Sequence, residues 1–200
     1  FRKTGLSIDD KIAVYDDGGS PFAARAWWIL QYAGFKNSYI VIEGFEAIKE
    51  AGLSIDANTP NPEHALGYPL WDEMIYDPRQ FVEETVSGKT GGILLDARSA
   101  ERYRGETEPI DPIAGRIPGA FNFDWEQLKK DGLFNMDESV KVAMETVVDP
   151  SKEVTVYCGS GVTAAPLYAM LAENGYGNIR LYVGSYSDWI SKEGAPVEKD

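Results

Sequence analysis

Apolar and polar positions along the chain change period in a regular way. Residues 12–15, 38–42, 92–96, 153–157 and 179–183 are short runs rich in β-branched, leucine and tyrosine residues, bounded by Gly, Asp or Asn. Runs of that length and composition read as strands. A further short strand closes at Asn122. Between them, helical patterns cover 20–34, 45–51, 77–86, 124–130, 137–148, 163–174 and 185–193. Ser20 and Pro21 supply a cap and a first helical position. Gly34, Gly52 and Gly175 supply stops. Strands alternating with helices predict an α/β fold: a parallel sheet wrapped by helices on both faces.

The pattern occurs twice. Ile12-Ala13-Val14-Tyr15 matches Val154-Thr155-Val156-Tyr157, and Ala23-Ala24 matches Ala164-Ala165. Gly34-Phe35 matches Gly175-Tyr176, Asn37 matches Asn178, and residues 40–45 fall on 181–186. The first copy holds one extra residue in its loop. Two related strand-loop-helix-strand-helix units in one chain indicate tandem domains. The second copy has a long stretch upstream of it, roughly 70–150, with no counterpart before the first. The expected organisation is therefore one complete domain at 71–200 and a proline-bearing linker at 58–70. Residues 1–57 would be the C-terminal half of a truncated domain, whose other half could be a separate chain or fragment.

Composition narrows the function. At 200 residues and 44% hydrophobic, the chain can build a substantial core. A net charge of −13 disfavours nucleic acid and acidic membranes as partners. The apolar runs are far shorter than a membrane span. One cysteine excludes an internal disulfide framework and a cysteine-rich zinc site, and it suits a reducing, cytoplasmic setting. No metal or organic cofactor is implied.

That cysteine is the candidate nucleophile. Cys158 follows the strand at 153–157, on the loop Cys158-Gly159-Ser160-Gly161-Val162-Thr163, just before a helix. The carboxyl ends of strands in open α/β sheets are where ligands bind. The glycines let the loop curl so that the N–H groups of residues 159–163 point at one spot, and the helix start adds partial positive charge. Both favour a thiolate over a thiol. Ser160 and Thr163 hydroxyls are further candidate donors, with a turn and a helix cap as their structural alternatives. His64, the only histidine, lies in the linker, so a Cys-His pair is not expected.

This loop resembles the active-site loop of rhodanese-type sulfurtransferases, nearest to the tandem-domain 3-mercaptopyruvate and thiosulfate enzymes. Asp96-Ala97-Arg98, Glu101-Arg102-Tyr103-Arg104-Gly105, residues 115–120 (Gly-Arg-Ile-Pro-Gly-Ala) and residues 181–189 resemble further family blocks, in the family's order. The resemblance implies ping-pong transfer of a sulfane sulfur through a persulfide on Cys158. A small donor, 3-mercaptopyruvate or thiosulfate, would load it, and a thiol or cyanide would accept. It maps Arg102 onto a donor-binding arginine, with Arg104 and Arg116 as neighbouring candidates. Asp96 and Arg98 read as an ion pair bracing the loop. Where the mercaptopyruvate pattern expects an arginine after Glu108-Pro109, this chain has Ile110. The loop also lacks the basic residues of thiosulfate enzymes, so mercaptopyruvate is the favoured donor. In the first copy Asp16 stands in the place of Cys158; a carboxylate cannot carry sulfane sulfur, so that half should be silent. The alternative is a non-catalytic or carrier module that relays sulfur or binds a protein. A cysteine phosphatase would need an arginine where Ala164 stands.

Overall fold

The computed structural model describes residues 5–57 and 70–200, which form two compact units. One comprises the chain up to Asp72 together with Asp131–Phe134; the other comprises Glu73–Lys130 and Asn135–Asp200. The expected linker, apart from Leu70, lies outside the described residues, as does His64.

In the first unit, β1 (Ile12–Tyr15) leads through a tight loop into α1 (Phe22–Tyr32). The chain then returns as β2 (Ser38–Val41), parallel to β1 with Ile12 opposite Ser38, and continues into α2 (Gly44–Glu50). Leu30, Ala33 and Phe35 pack with Leu6, Ile8, Ile12 and Val14 to form its core. The start of α1 differs from the sequence expectation. Pro21 occupies the cap position and Ser20 makes no side-chain cap. The Asp16 carboxylate does that work from a distance, accepting the Ala23 N–H at 2.8 Å and the Gly18 N–H at 2.8 Å.

The second unit is built on a four-stranded, all-parallel sheet in the order β4-β3-β5-β6. Its strands are β3 (Ile93–Asp96), β4 (Phe121–Asn122), β5 (Val154–Tyr157) and β6 (Ile179–Leu181). Its helices are α3 (Arg79–Val86), α4 (Ala100–Arg104), α5 (Glu138–Val147), α6 (Ala164–Glu173) and α7 (Ser185–Ser191). Every residue of β5 is buried, as the middle of a sheet covered on both faces requires. Strand alternation puts Leu94 and Tyr157 on one face, where they join a core with Val82 of α3 and Tyr186 and Trp189 of α7. On the other face lies α6, which packs on β5 and β6 and has seven of its ten residues buried. A helix apolar all round is one that is covered all round.

The helix expected at 124–130 is instead a single 3-10 turn, Trp125–Leu128, followed by extended Lys129–Lys130. Asp124 caps it by accepting the Glu126 N–H. The chain then enters a left-handed turn at Asp131 (φ 53°) and Gly132 (φ 83°), which stops any longer helix. Among the described residues, no helix is long and apolar enough to cross a membrane.

Candidate active site

Sheet register brings the sequence-distant candidates together. Asp96 lies opposite Tyr157, so β3 and β5 end side by side and their following loops, Ala97-Arg98 and Cys158-Gly159, leave the same edge. The Ala97 N–H donates to Tyr157 O at 2.8 Å and sets the spacing. Asn122, at the end of β4, donates its side-chain amide to the carbonyls of Asp96 and Arg98, each at 2.9 Å.

Cys158 sits at the floor of its loop, 1% exposed. The Gly161 N–H donates to its Sγ at 3.1 Å. Gly161 is required there. Its φ is 76°, and a Cβ would lie 2.4 Å from the Val183 carbonyl oxygen. Ser160 is exposed, and among the described bonds neither its hydroxyl nor that of Thr163 reaches the sulfur. Thr163 occupies the cap position of α6 in helical geometry with no side-chain cap. The loop is held from below as well. The Cys158 N–H donates to Ser185 Oγ at 3.1 Å, the Tyr186 N–H to Cys158 O at 3.0 Å, and the Ser187 N–H to Gly159 O at 2.9 Å.

Ser185 has no counterpart among the residues singled out from sequence. It is fully buried and adopts φ 55°, a left-handed backbone that serine rarely takes. In the first copy the matching residue is Gly44, at φ 77°. The exchange of Gly44 for Ser185 between the two copies was the available signal. A strained residue is kept where its hydroxyl has a task, and here it receives the Cys158 amide while donating to Tyr182 O at 2.9 Å.

Asp96 and Arg98 form a fully buried pair, with Nη2 to Oδ2 at 2.6 Å and Nε to Oδ1 at 3.0 Å. Arg98 also donates to Gly115 O at 2.7 Å and lies 4.1 Å over the Tyr186 ring. Burial would pull the Arg98 pKa down. The Asp96 bond and charge, with Glu108, outweigh that and raise it, so the guanidinium stays charged. Burial pushes the Tyr186 phenol up to about 12, so it remains protonated at neutral pH.

Of the three candidate arginines, the structure brings Arg102 to the loop. Its Nη2 lies 3.4 Å from where a Cβ on Gly159 would be. The fork is already engaged, with Nη2 to Glu108 Oε1 at 2.7 Å and Nε to Glu108 Oε2 at 3.1 Å. Arg104 is paired with Glu106 at 2.7 Å. Arg116 is bound to Glu198 at 2.5 Å and Asp200 at 2.8 Å, and stacks 4.3 Å over Tyr103. It ties down the C-terminal residues: Arg116 and Glu198 also exchange backbone hydrogen bonds. Closeness in sequence had grouped the three arginines, and the described bonds of Arg104 and Arg116 are made away from the Cys158 loop.

Comparison with known proteins points the same way. The rhodanese-like domain family matches residues 2–51 and 79–192. A putative thiosulfate sulfurtransferase of Mycobacterium tuberculosis is 38% identical over 198 residues, 98% of this chain and 69% of that protein. A probable 3-mercaptopyruvate sulfurtransferase of Pseudomonas aeruginosa is 38% identical over 199 residues, 96% of this chain and 69% of the relative. The crystal structure of the 3-mercaptopyruvate sulfurtransferase SseA from Escherichia coli superposes with a TM-score of 0.77 at 29% identity, covering 93% of this chain and 70% of that one.

Proposed function

This chain belongs to the rhodanese-like domain family of sulfurtransferases, and from that premise we propose that it carries sulfane sulfur as a persulfide on Cys158. The observation that carries the reading is the Gly161 N–H directed at Cys158 Sγ, 3.1 Å away, in a strand-end loop. A main-chain donor fixed on the sulfur stabilises negative charge there with no reorganisation, whether the anion is the thiolate or the persulfide. In the first half-reaction Cys158 thiolate attacks the donor's outer sulfur. The bond from that sulfur to the donor breaks, its electron pair leaves with pyruvate enolate or sulfite, and the persulfide remains. In the second, an acceptor thiolate attacks the outer sulfur. The enzyme's S–S bond breaks, its electron pair returns to Cys158, and the acceptor departs with the sulfur.

Arg102, beside Gly159, supports the recognition of a small anionic donor. A single, shared arginine suits one carboxylate better than a dianion, which favours 3-mercaptopyruvate over thiosulfate. The near-complete burial of Cys158 favours a small acceptor over a docked protein. Residues 1–57 serve as a non-catalytic unit, a reading supported by Asp16, whose carboxylate takes the Gly18 and Ala23 amides that a ligand anion would otherwise use. Incubation with each donor, followed by intact mass measurement, should show a gain of one sulfur atom that Cys158→Ser abolishes. No gain with either donor would overturn the reading.

A further inference from the structure

Glu108 is a carboxylate that anion binding at Arg102 does not need. Its side chain is 3% exposed, and its two oxygens together take the Nε–Nη2 edge of the Arg102 fork. Oε2 also accepts from Arg98 Nη1 at 3.2 Å. Oε1 accepts from the backbone N–H groups of Ile110 at 3.0 Å and Asp111 at 3.1 Å. Burial pushes its pKa up, but the Arg102 and backbone bonds outweigh this and hold it below the ordinary value, so it is ionised at neutral pH.

Asp111 adds a second carboxylate. Its Oδ1 accepts from Ser187 Oγ at 2.7 Å, and Ser187 in turn bonds Gly159 of the Cys158 loop. Its Oδ2 is buried without a hydrogen bond, 3.6 Å from Arg102 Nη2. With Asp96 and Arg98 included, three carboxylates face two guanidiniums, leaving one surplus negative charge in a poorly solvated site. Coulomb energy scales with ligand charge, and buried charges are little screened by salt. A dianion approaching Arg102 is therefore opposed about twice as strongly, in free energy, as a monoanion.

Resting on the sulfur-transfer reading of the same site, we propose that Glu108, seconded by Asp111, determines donor specificity. It acts as an internal competitor for Arg102 that admits singly charged sulfur donors and holds off doubly charged ones. A donor carboxylate can replace Glu108 on the fork one for one. A dianion cannot be matched by a single shared arginine beside a surplus carboxylate.

The test measures calorimetric binding of pyruvate and sulfate, a monoanion and a dianion, to the Cys158→Ser protein with and without Glu108→Gln. Removing one charge should tighten pyruvate by about threefold and sulfate by about tenfold, the latter equal to ~1.4 kcal/mol. Asp111→Asn, which leaves the Arg102–Glu108 pair intact, should shift the ratio the same way, and it decides the matter if Glu108→Gln does not fold. In the Glu108→Gln protein with Cys158 intact, kcat/KM for thiosulfate should rise towards that for mercaptopyruvate. An unchanged sulfate-to-pyruvate ratio in the folded variants, or looser binding of both anions, overturns the proposal. Shifted binding ratios without any persulfide in the Cys158 protein would sustain the charge filter and defeat the sulfur-transfer reading instead.

Discussion

Ser185 holds a backbone conformation that costs an L-residue about 1–2 kcal/mol, and its hydroxyl occupies the amide of Cys158. The two contributions can be separated. Ser185→Ala keeps the left-handed backbone and leaves the buried Cys158 N–H without that acceptor, so urea unfolding should show a loss of about 1–3 kcal/mol. Ser185→Gly loses the same bond and relieves the backbone, so its loss should be smaller by about 1 kcal/mol. Equal losses would mean that the φ of 55° carries no strain. Gly161→Ala meets both a φ of 76° and a carbonyl oxygen 2.4 Å away. It should slow persulfide loading even where the protein stays folded, because the amide facing Sγ must shift. The glycine was legible in sequence as a point where the loop can curl. The number of amides that turn inward was not, because loop curvature depends on Val183 beneath it.

Paired strand ends do the positioning between elements. The Asp96–Arg98 ion pair was legible from its strand-end motif, and its full burial follows from β3 lying inside the sheet. Arg98→Met removes one partner and leaves Asp96 buried and uncompensated. Such a loss costs about 3–5 kcal/mol, readable as a lowered urea midpoint with unchanged slope. In the first unit Asp16 caps α1 across the loop, and Asp16→Ala should cost about 1–2 kcal/mol, as removal of a helix cap does. Sequence pointed to Ser20 as that cap because it is the adjacent capping residue. The turn through Asp17 and Gly18 places the Asp16 carboxylate nearer the helix amides instead. The short 3-10 turn at Trp125–Leu128 was misread for a related reason: residues 124–130 have helical propensity, and the turn at Asp131-Gly132 overrides it.

The C-terminal residues of the second unit are fastened to Arg116 and Gly119 by charge, which makes that fastening sensitive to acid. Glu198 is held below its ordinary value near 4.5 by the Gly119 N–H and the Arg116 bond. A carboxyl whose folded pKa is lowered binds fewer protons folded than unfolded. Its contribution is therefore present above about pH 4.5 and lost as pH falls through the lowered value. The stability difference between the native protein and Glu198→Gln should be largest at pH 7 and shrink as the pH falls below about 4.5; a constant difference would show that Glu198 acts by packing alone. By itself, the sequence determined the alternation of strands and helices, the rhodanese-like family and the thiol on its glycine loop. These are written in period and in residue types with few alternatives. Only the tertiary structure decided that Glu108 already occupies the Arg102 fork and that Ser185 holds the Cys158 amide. The first is set by how the chain turns between two residues six apart, the second by packing between residues 27 apart, and neither by a preference of the residue itself.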